Sequence, residues 1–419
     1  MSEFLCPFPW LSPCVTTDGH FRVCPVSQSA LSKGIVSNDD GTKPHIEKIS
    51  SIADVTNADS LKRLRKKMLQ GQDVSDTCQR CISEENNGLQ SRRQMELVRL
   101  PELTEKFVKQ ITADDGSLTE NSPIATLIIR MGNKCNLVCR MCGPSSSSAW
   151  YKEWAKTRHS GFQEEEGRVS LVTNDKGQVS ASPNPYTWVD NDSAMHLVEM
   201  CGSSLRRIHF SGGEPLLSSG HLEILRYLVK SGRAEKISLD YNSNMTVLSD
   251  EVLDLWTHFE EVEIGISIDG PPEVNEYIRY PIKSASLQAN LKKLDNSKVR
   301  GKFWLSTTVQ IYNICDLPQT ESWLLAQNFK KIRPQISWHA LRGPKELSIF
   351  ALPLEVKQKV AKELALSPSF ATLSEMIFEE DHSEHFPAFI KTTKAMDAYR
   401  RQSISQLHNL WPLLESYFS

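Results

Sequence analysis

Three cysteines fall within the eight residues of CNLVCRMC, at positions 135, 139 and 142. Thiolates at this spacing, three and then two residues apart, can hold three corners of a [4Fe–4S] cube and leave the fourth iron without a protein ligand. Such an open iron can take a small molecule. A purely structural site is normally closed by a fourth ligand, so the alternative for Cys135, Cys139 and Cys142 is a zinc ion completed by a distant histidine. A second group, Cys6, Cys14, Cys24, Cys78 and Cys81, lies in the first hundred residues. The opening segment MSEFLCPFPW lacks a basic stretch followed by an apolar one, so no secretory signal is expected and the cytosol is the expected compartment. Thiols there stay reduced, and ten cysteines point to metal or cluster ligation rather than to disulfides. Cys201, late in a predicted helix, and Cys315, after a predicted strand, read as small buried hydrophobes.

The elements that must position these residues follow from the apolar pattern. Strands are predicted at 125–130, 207–210, 236–241, 262–268, 303–309 and 332–339, with helices between them, for example at 222–230, 251–257, 287–294 and 321–327. Repeated units of this kind imply an α/β fold with a parallel sheet, and six strands suit an incomplete barrel. CNLVCRMC then directly follows the first strand of the α/β region. Ahead of it, CVTTDGHFRVCP predicts a hairpin turning at Asp18-Gly19, followed by a helix over 60–69 and a turn at Cys78-Gln-Arg-Cys81. This segment holds too little apolar material for a core of its own, so a cluster that staples it is physically sensible. The polar insertion 158–188 predicts a solvent-facing hairpin turning at 174–177, and beyond residue 345 the chain reads as helical. Trp338 and His339, ending the sixth strand, face either the core or a substrate.

CNLVCRMC after a β-strand resembles the cluster motif of the radical S-adenosylmethionine (SAM) superfamily, and HFSGGEPLL after the second strand resembles its glycine-rich SAM motif at Gly212, Gly213, Glu214 and Pro215. YNSNMT after the third strand is similar to its asparagine-bearing segment (Asn244). ISIDG ends the fourth strand as in the peptide-modifying branch (Ser267 and Asp269, ribose contacts). Arg279 in NEYIRYP resembles the arginine that pairs the SAM carboxylate. Met141 departs from the pattern, since an aromatic residue commonly precedes the third cysteine. The resemblance implies a partial (β/α)6 barrel of the TIM type and reductive cleavage of SAM to a 5′-deoxyadenosyl radical, which abstracts a hydrogen from the substrate. It also implies a one-electron donor such as flavodoxin or ferredoxin. CPFPW at Cys6, the hairpin closing on Cys24, and DVSDTCQRC with Cys78 and Cys81 resemble the auxiliary-cluster module called SPASM or, in its short form, twitch. That module usually follows the barrel and here precedes it. The resemblance implies a second [4Fe–4S] cluster on Cys6, Cys24, Cys78 and Cys81, with Cys14 as the alternative ligand; a zinc knuckle is the competing reading.

The implied organisation is a twitch-like domain at 1–100, a radical SAM barrel at 120–345 and a helical extension at 346–419. A net charge of −3 gives no general reason to expect nucleic-acid binding, and the basic run 62–67 reads as the solvated face of a helix. No apolar run approaches a membrane span. The expected substrate is a peptide or protein side chain undergoing oxidation, crosslinking or epimerisation. The rivals are a radical SAM dehydrogenase or rearrangement enzyme acting on a small molecule in sugar or cofactor biosynthesis, and a non-enzymatic iron–sulfur or zinc protein.

Overall fold

Eleven strands are formed by the described residues of this computed structural model, which are 5–27, 34–86, 88, 90–119, 122–158, 160–165 and 167–419. The first four residues of the opening segment, and residues 159 and 166 of the insertion, lie outside them. In chain order the strands are β1 (Cys14–Val15), β2 (Phe21–Arg22), β3 (Thr126–Arg130), β4 (Gly161–Glu164), β5 (Gly167–Thr173), β6 (Val179–Ser182), β7 (Arg207–Ser211), β8 (Ser238–Ser243), β9 (Val262–Ser267), β10 (Gly301–Val309) and β11 (Ile332–Ala340). The main sheet runs β11-β10-β9-β8-β7-β3-β1-β2. Every junction from β3 to β11 is parallel, so the six predicted strands pair as expected.

Side chains alternate across a strand, and here the alternation separates core from site. Ile208, Phe210, Leu239, Tyr241, Ile264, Ile266 and Leu305 point to one face. There they bury against Ile224, Leu228, Trp256, Leu291 and Leu294 of the helices Ser219–Lys230, Asp250–Trp256 and Ser284–Asp295. The opposite face carries His209, Ser211, Asn242, Ser267, Ser306, Thr308 and His339. With Ile128 and Arg130 of β3, these residues line a single cavity. All six parallel strands contribute to that lining, so the sheet curls around it as a partial (β/α)6 barrel.

The amino-terminal hairpin forms at the predicted place, with Gly19 at φ 87° in its turn. It extends the barrel sheet: β1 pairs in parallel with β3, Cys14 opposite Ile128. Trp10, Phe21, Val36, Leu64 and Met68 accordingly belong to the same continuous core as the barrel. Two local readings change. Cys78-Gln-Arg-Cys81 is not a turn but part of the helix Ser75–Asn86, whose sequence contains no glycine or proline to break it. The basic run lies on the helix Asp59–Leu69, yet Arg65 is fully buried, donating to the carbonyls of Pro9, Thr56 and Gly116 at 2.7, 2.7 and 2.8 Å. Only its neighbours form the solvated face.

The insertion is a three-stranded antiparallel sheet, β4-β5-β6, with Gly177 N–H donating to the Asn174 carbonyl at the predicted turn. Beyond residue 345 the helices Leu354–Leu364, Phe386–Arg400 and Trp411–Leu414 pack into a second core that includes Tyr277, Ile278 and Tyr312 of the barrel. Among the described residues no helix is long and apolar enough to cross a membrane.

Candidate functional site

The cysteine loop leaves β3 and is pressed against the loop that leaves β7. Gly213 N–H donates to the Gly132 carbonyl at 2.9 Å and Glu214 N–H to the Lys134 carbonyl at 2.8 Å. A Cβ on Gly213 would come within 2.3 Å of the Lys134 carbonyl oxygen, and Gly212 adopts φ 120°. Both glycines are therefore demanded by the docking of the two loops, and both still line the cavity.

That cavity, of about 450 Å³, brings together Cys135, Cys139, Cys142, Gly212, Gly213, Asn244, Ser267 and Arg279. Asn244 Nδ2 lies 3.8 Å from Cys135 Sγ. Burial pushes the Cys135 thiol up to about 12, with Cys139 adding to the effect, while a hydrogen bond shared by Cys139 and Cys142 raises the first and lowers the second. Burial works against the charge of Arg279, but Asp269 and the thiols of Cys139 and Cys142 more than offset it, so the guanidinium is held more firmly protonated than usual. The structure separates Ser267 from Asp269. Ser267 faces the cavity, whereas Asp269 is fully buried, sits 2.8 Å from Arg279 Nε and accepts from Thr308 N–H.

Glu214 and Pro215 stand back from the cavity. Glu214 is buried with both carboxylate oxygens taken: Oε1 accepts from Ser243 Oγ and Leu216 N–H, and Oε2 accepts from Asn244 N–H. Burial raises its carboxyl to about 7 against those donors. Its side chain thus ties the β7 loop to the end of β8, and Pro215 opens the short turn that Glu214 caps.

Cys6, Cys24, Cys78 and Cys81 line a second, small cavity of about 60 Å³. Cys78 and Cys81, three residues apart on one helix, share a face. Burial drives all four thiols up, and the set reinforces this through mutual repulsion: Cys24 and Cys81 help carry Cys78 to about 12. Such a donor set suits a cationic iron core that relieves the repulsion. Cys14 is not among them; it lines the 450 Å³ cavity from β1. Cys201 and Cys315 are buried and line neither cavity. Among the described residues no three His, Cys, Asp or Glu side chains surround a single ion-sized point; both thiol groups rim cavities instead.

A third cavity, of about 590 Å³, lies between these two. It shares Pro25, His209, Asn242, Ser306 and His339 with the first, and Val26 and Arg80 with the second. Trp338 and His339 line it, as the strand-end reading allowed. His209 drew no attention in the sequence, yet its Nδ1 lies 3.0 Å from Asp240 on the neighbouring strand. Burial resists the charge on Asp240, but His209, Arg207 and Arg99 hold its carboxyl well below the usual range. The available signal was register: His209 stands two residues before Ser211 and so shares the inner face of β7.

Residues 129–324 match the family model described as "Radical SAM superfamily". No curated protein matches the chain. Among solved structures, native anSMEcpe with bound AdoMet is 18% identical, with a TM-score of 0.36, over 57% of this chain and 59% of that one. Streptococcus suis SuiB bound to precursor peptide SuiA is 10% identical, with a TM-score of 0.33, over 96% of this chain and 75% of that one. The radical SAM methyltransferase TsrM from Kitasatospora setae is 11% identical, with a TM-score of 0.29, over 49% of each chain. The chain thus spans about three fifths of the length of anSMEcpe. The matched segment contains Cys135, Cys139, Cys142, Gly212, Gly213, Asn244, Ser267 and Arg279, the residues that converge on one cavity. By this match, residues 129–324 of the chain are similar to the radical SAM superfamily.

Proposed function

We propose that the protein is a radical SAM enzyme whose [4Fe–4S] cluster is held by Cys135, Cys139 and Cys142, with SAM in the same cavity. The observation that carries this reading is the convergence of three thiols, two glycines and one buried arginine on a single 450 Å³ space. Bound there, the cluster and SAM supply a 5′-deoxyadenosyl radical that abstracts a hydrogen atom. The chain's own residues bind and orient. Gly212 and Gly213 offer unshielded backbone, Asn244 and Ser267 offer polar side chains, and Arg279 offers a permanent cation for a carboxylate. The strands exclude water beneath the reacting atoms.

Cys6, Cys24, Cys78 and Cys81 form the ligand set of a second cluster in this proposal. The 590 Å³ cavity between the two thiol groups is the substrate site, where His209, held by Asp240, can give or take a proton at Nε2. We assign a peptide or protein side chain as the substrate. The rim residues Arg80 and Arg342 are half exposed, so the cavity opens to solvent and a loop of a longer chain can enter. A one-electron donor such as flavodoxin or ferredoxin is the expected partner.

Anaerobic reconstitution followed by reduction with dithionite in the presence of SAM tests the central reading. About eight irons per chain are expected, together with 5′-deoxyadenosine formation that is abolished in Cys139→Ala. Zinc in place of iron, or intact SAM after reduction, overturns it.

A further inference from the structure

The family match ends at residue 324, yet the cysteine loop is gripped from behind by residues beyond it. Arg140, between the second and third cysteines, is fully buried. Its Nε donates to the Tyr277 carbonyl at 2.9 Å, and its guanidinium stacks 3.6 Å from the centre of the Tyr277 ring. Its Nη2 reaches the carboxyl-terminal helix Phe386–Arg400 and the turn after it, donating to Asp397 Oδ1 at 2.5 Å and to Gln402 Oε1 at 3.1 Å, while Nη1 lies 3.9 Å from Met396 Sδ. Asp397 Oδ1 also accepts from the Tyr277 hydroxyl at 2.9 Å, and Oδ2 accepts from Ile404 N–H at 2.8 Å.

A second bridge runs the opposite way. Arg400 of that helix donates to Glu153, just after the cysteine loop, at 3.0 and 3.1 Å, and lies over the Trp150 ring. Trp150 Nε1 in turn donates to the Cys139 carbonyl. Val138, Trp150 and Met396 fill the space between the two bridges.

What this brace holds is more than the thiols. Val138 N–H donates to the Tyr280 carbonyl and Arg140 N–H to the Ile278 carbonyl, so the cysteine loop is laced to residues 277–280 on either side of Arg279. Asp397 contacts both laced segments at once, through Arg140 and through Tyr277. Two surfaces of the cavity, the thiols and the Arg279 guanidinium, are set in register by one carboxylate that lies outside the cavity.

We infer that Asp397 is a positioning residue for SAM binding: by clamping Arg140 and Tyr277 it fixes Arg279 relative to the cluster cysteines, making the carboxyl-terminal helix a working part of the site. This rests on the reading of the cavity as the cluster and SAM site. Groups that orient the ligands of a metal site from behind typically change metal affinity or activity about 10- to 100-fold when removed.

The test uses reconstituted full-length protein and SAM itself. Asp397→Asn should retain wild-type iron content, weaken SAM binding about tenfold, and blunt the change that SAM makes in the electron paramagnetic resonance spectrum of the reduced cluster. Asp397→Glu should recover part of both. Gln402→Leu removes one of the Arg140 contacts and a 3.5 Å bond to the Glu276 carbonyl but leaves Asp397 in place, and should weaken SAM binding less, which keeps the question open to measurement if Asp397→Asn does not fold. Wild-type SAM affinity and spectra in Asp397→Asn and Gln402→Leu overturn the inference. Parallel loss of iron and SAM binding that Asp397→Glu does not rescue also overturns it, since the helix then only supports the fold. Wild-type protein that takes up iron but leaves SAM unbound would instead overturn the functional reading on which the inference stands.

Discussion

At the scale of single residues, ten cysteines sort into three environments that composition alone does not separate. Three meet at the barrel mouth, in a cavity that Cys14 also lines from β1, four meet in a small cavity beside the hairpin, and Cys201 and Cys315 line neither. Burial, and after it repulsion from Cys24, Cys78 and Cys81, opposes ionisation of the set formed by these three and Cys6 unless a cationic core is present. In a protein reconstituted with both clusters, Cys78→Ala should therefore lower iron by about half, with the SAM-responsive cluster retained. Cys14→Ser should leave iron unchanged. Iron analysis with spectroscopy of the reduced protein reads both outcomes, and unchanged iron in Cys78→Ala would remove the second cluster. CNLVCRMC and the glycine motif were legible because their chemistry is local in sequence. The division of labour between Ser267 and Asp269 was not, because only the fold shows that Asp269 is spent on Arg279.

At the scale of elements, the helix Ser219–Lys230 shows how burial on the outer face of the barrel couples to pH. His221 is fully enclosed against Phe210 and Tyr241, with Nε2 2.9 Å from the Tyr241 hydroxyl, and burial depresses its pKa from 6.5 to about 3. The folded protein thus keeps His221 neutral while the unfolded chain protonates it. Its stabilising contribution is complete above the unfolded value near 6.5 and falls as pH drops towards 3. Between pH 7 and pH 5 the loss amounts to about 2 kcal/mol. Thermal unfolding at the two pH values should show a smaller drop in Tm for His221→Phe than for wild type; equal drops would mean that the imidazole is not held neutral. Element boundaries were mostly readable, since the inner and outer faces of each strand differ in polarity. Cys78 to Cys81 was misread as a turn because a pair of cysteines carries little helical signal, while the residues around it, unbroken by glycine or proline, continue the helix.

At the scale of the whole molecule, the amino-terminal segment and the barrel share one core and one sheet. Trp10, Leu11 and Phe21 are all fully buried, and together they contribute on the order of 5 kcal/mol or more, comparable to the entire stability of many proteins. A chain beginning at residue 120 would expose these contacts and the edge of β3. It is expected to be insoluble or to unfold without a cooperative transition, as circular dichroism with dye binding would report; a soluble, cooperatively folding fragment would mean that the barrel is self-sufficient. The carboxyl-terminal helices are tied in just as closely, through Arg140–Asp397 and Arg400–Glu153. The sequence by itself determined the six parallel strands, the two thiol groups and the likeness to the radical SAM superfamily, because strand periodicity and ligand spacing are properties of neighbouring residues. Only the tertiary structure decided that the glycines serve loop docking as well as the cavity, that His209 faces the space between the two thiol groups, and that Asp397, 257 residues from Arg140, braces the cysteine loop. Those relations depend on where distant segments meet, and burial and charge pairing between them leave no periodic trace in the chain.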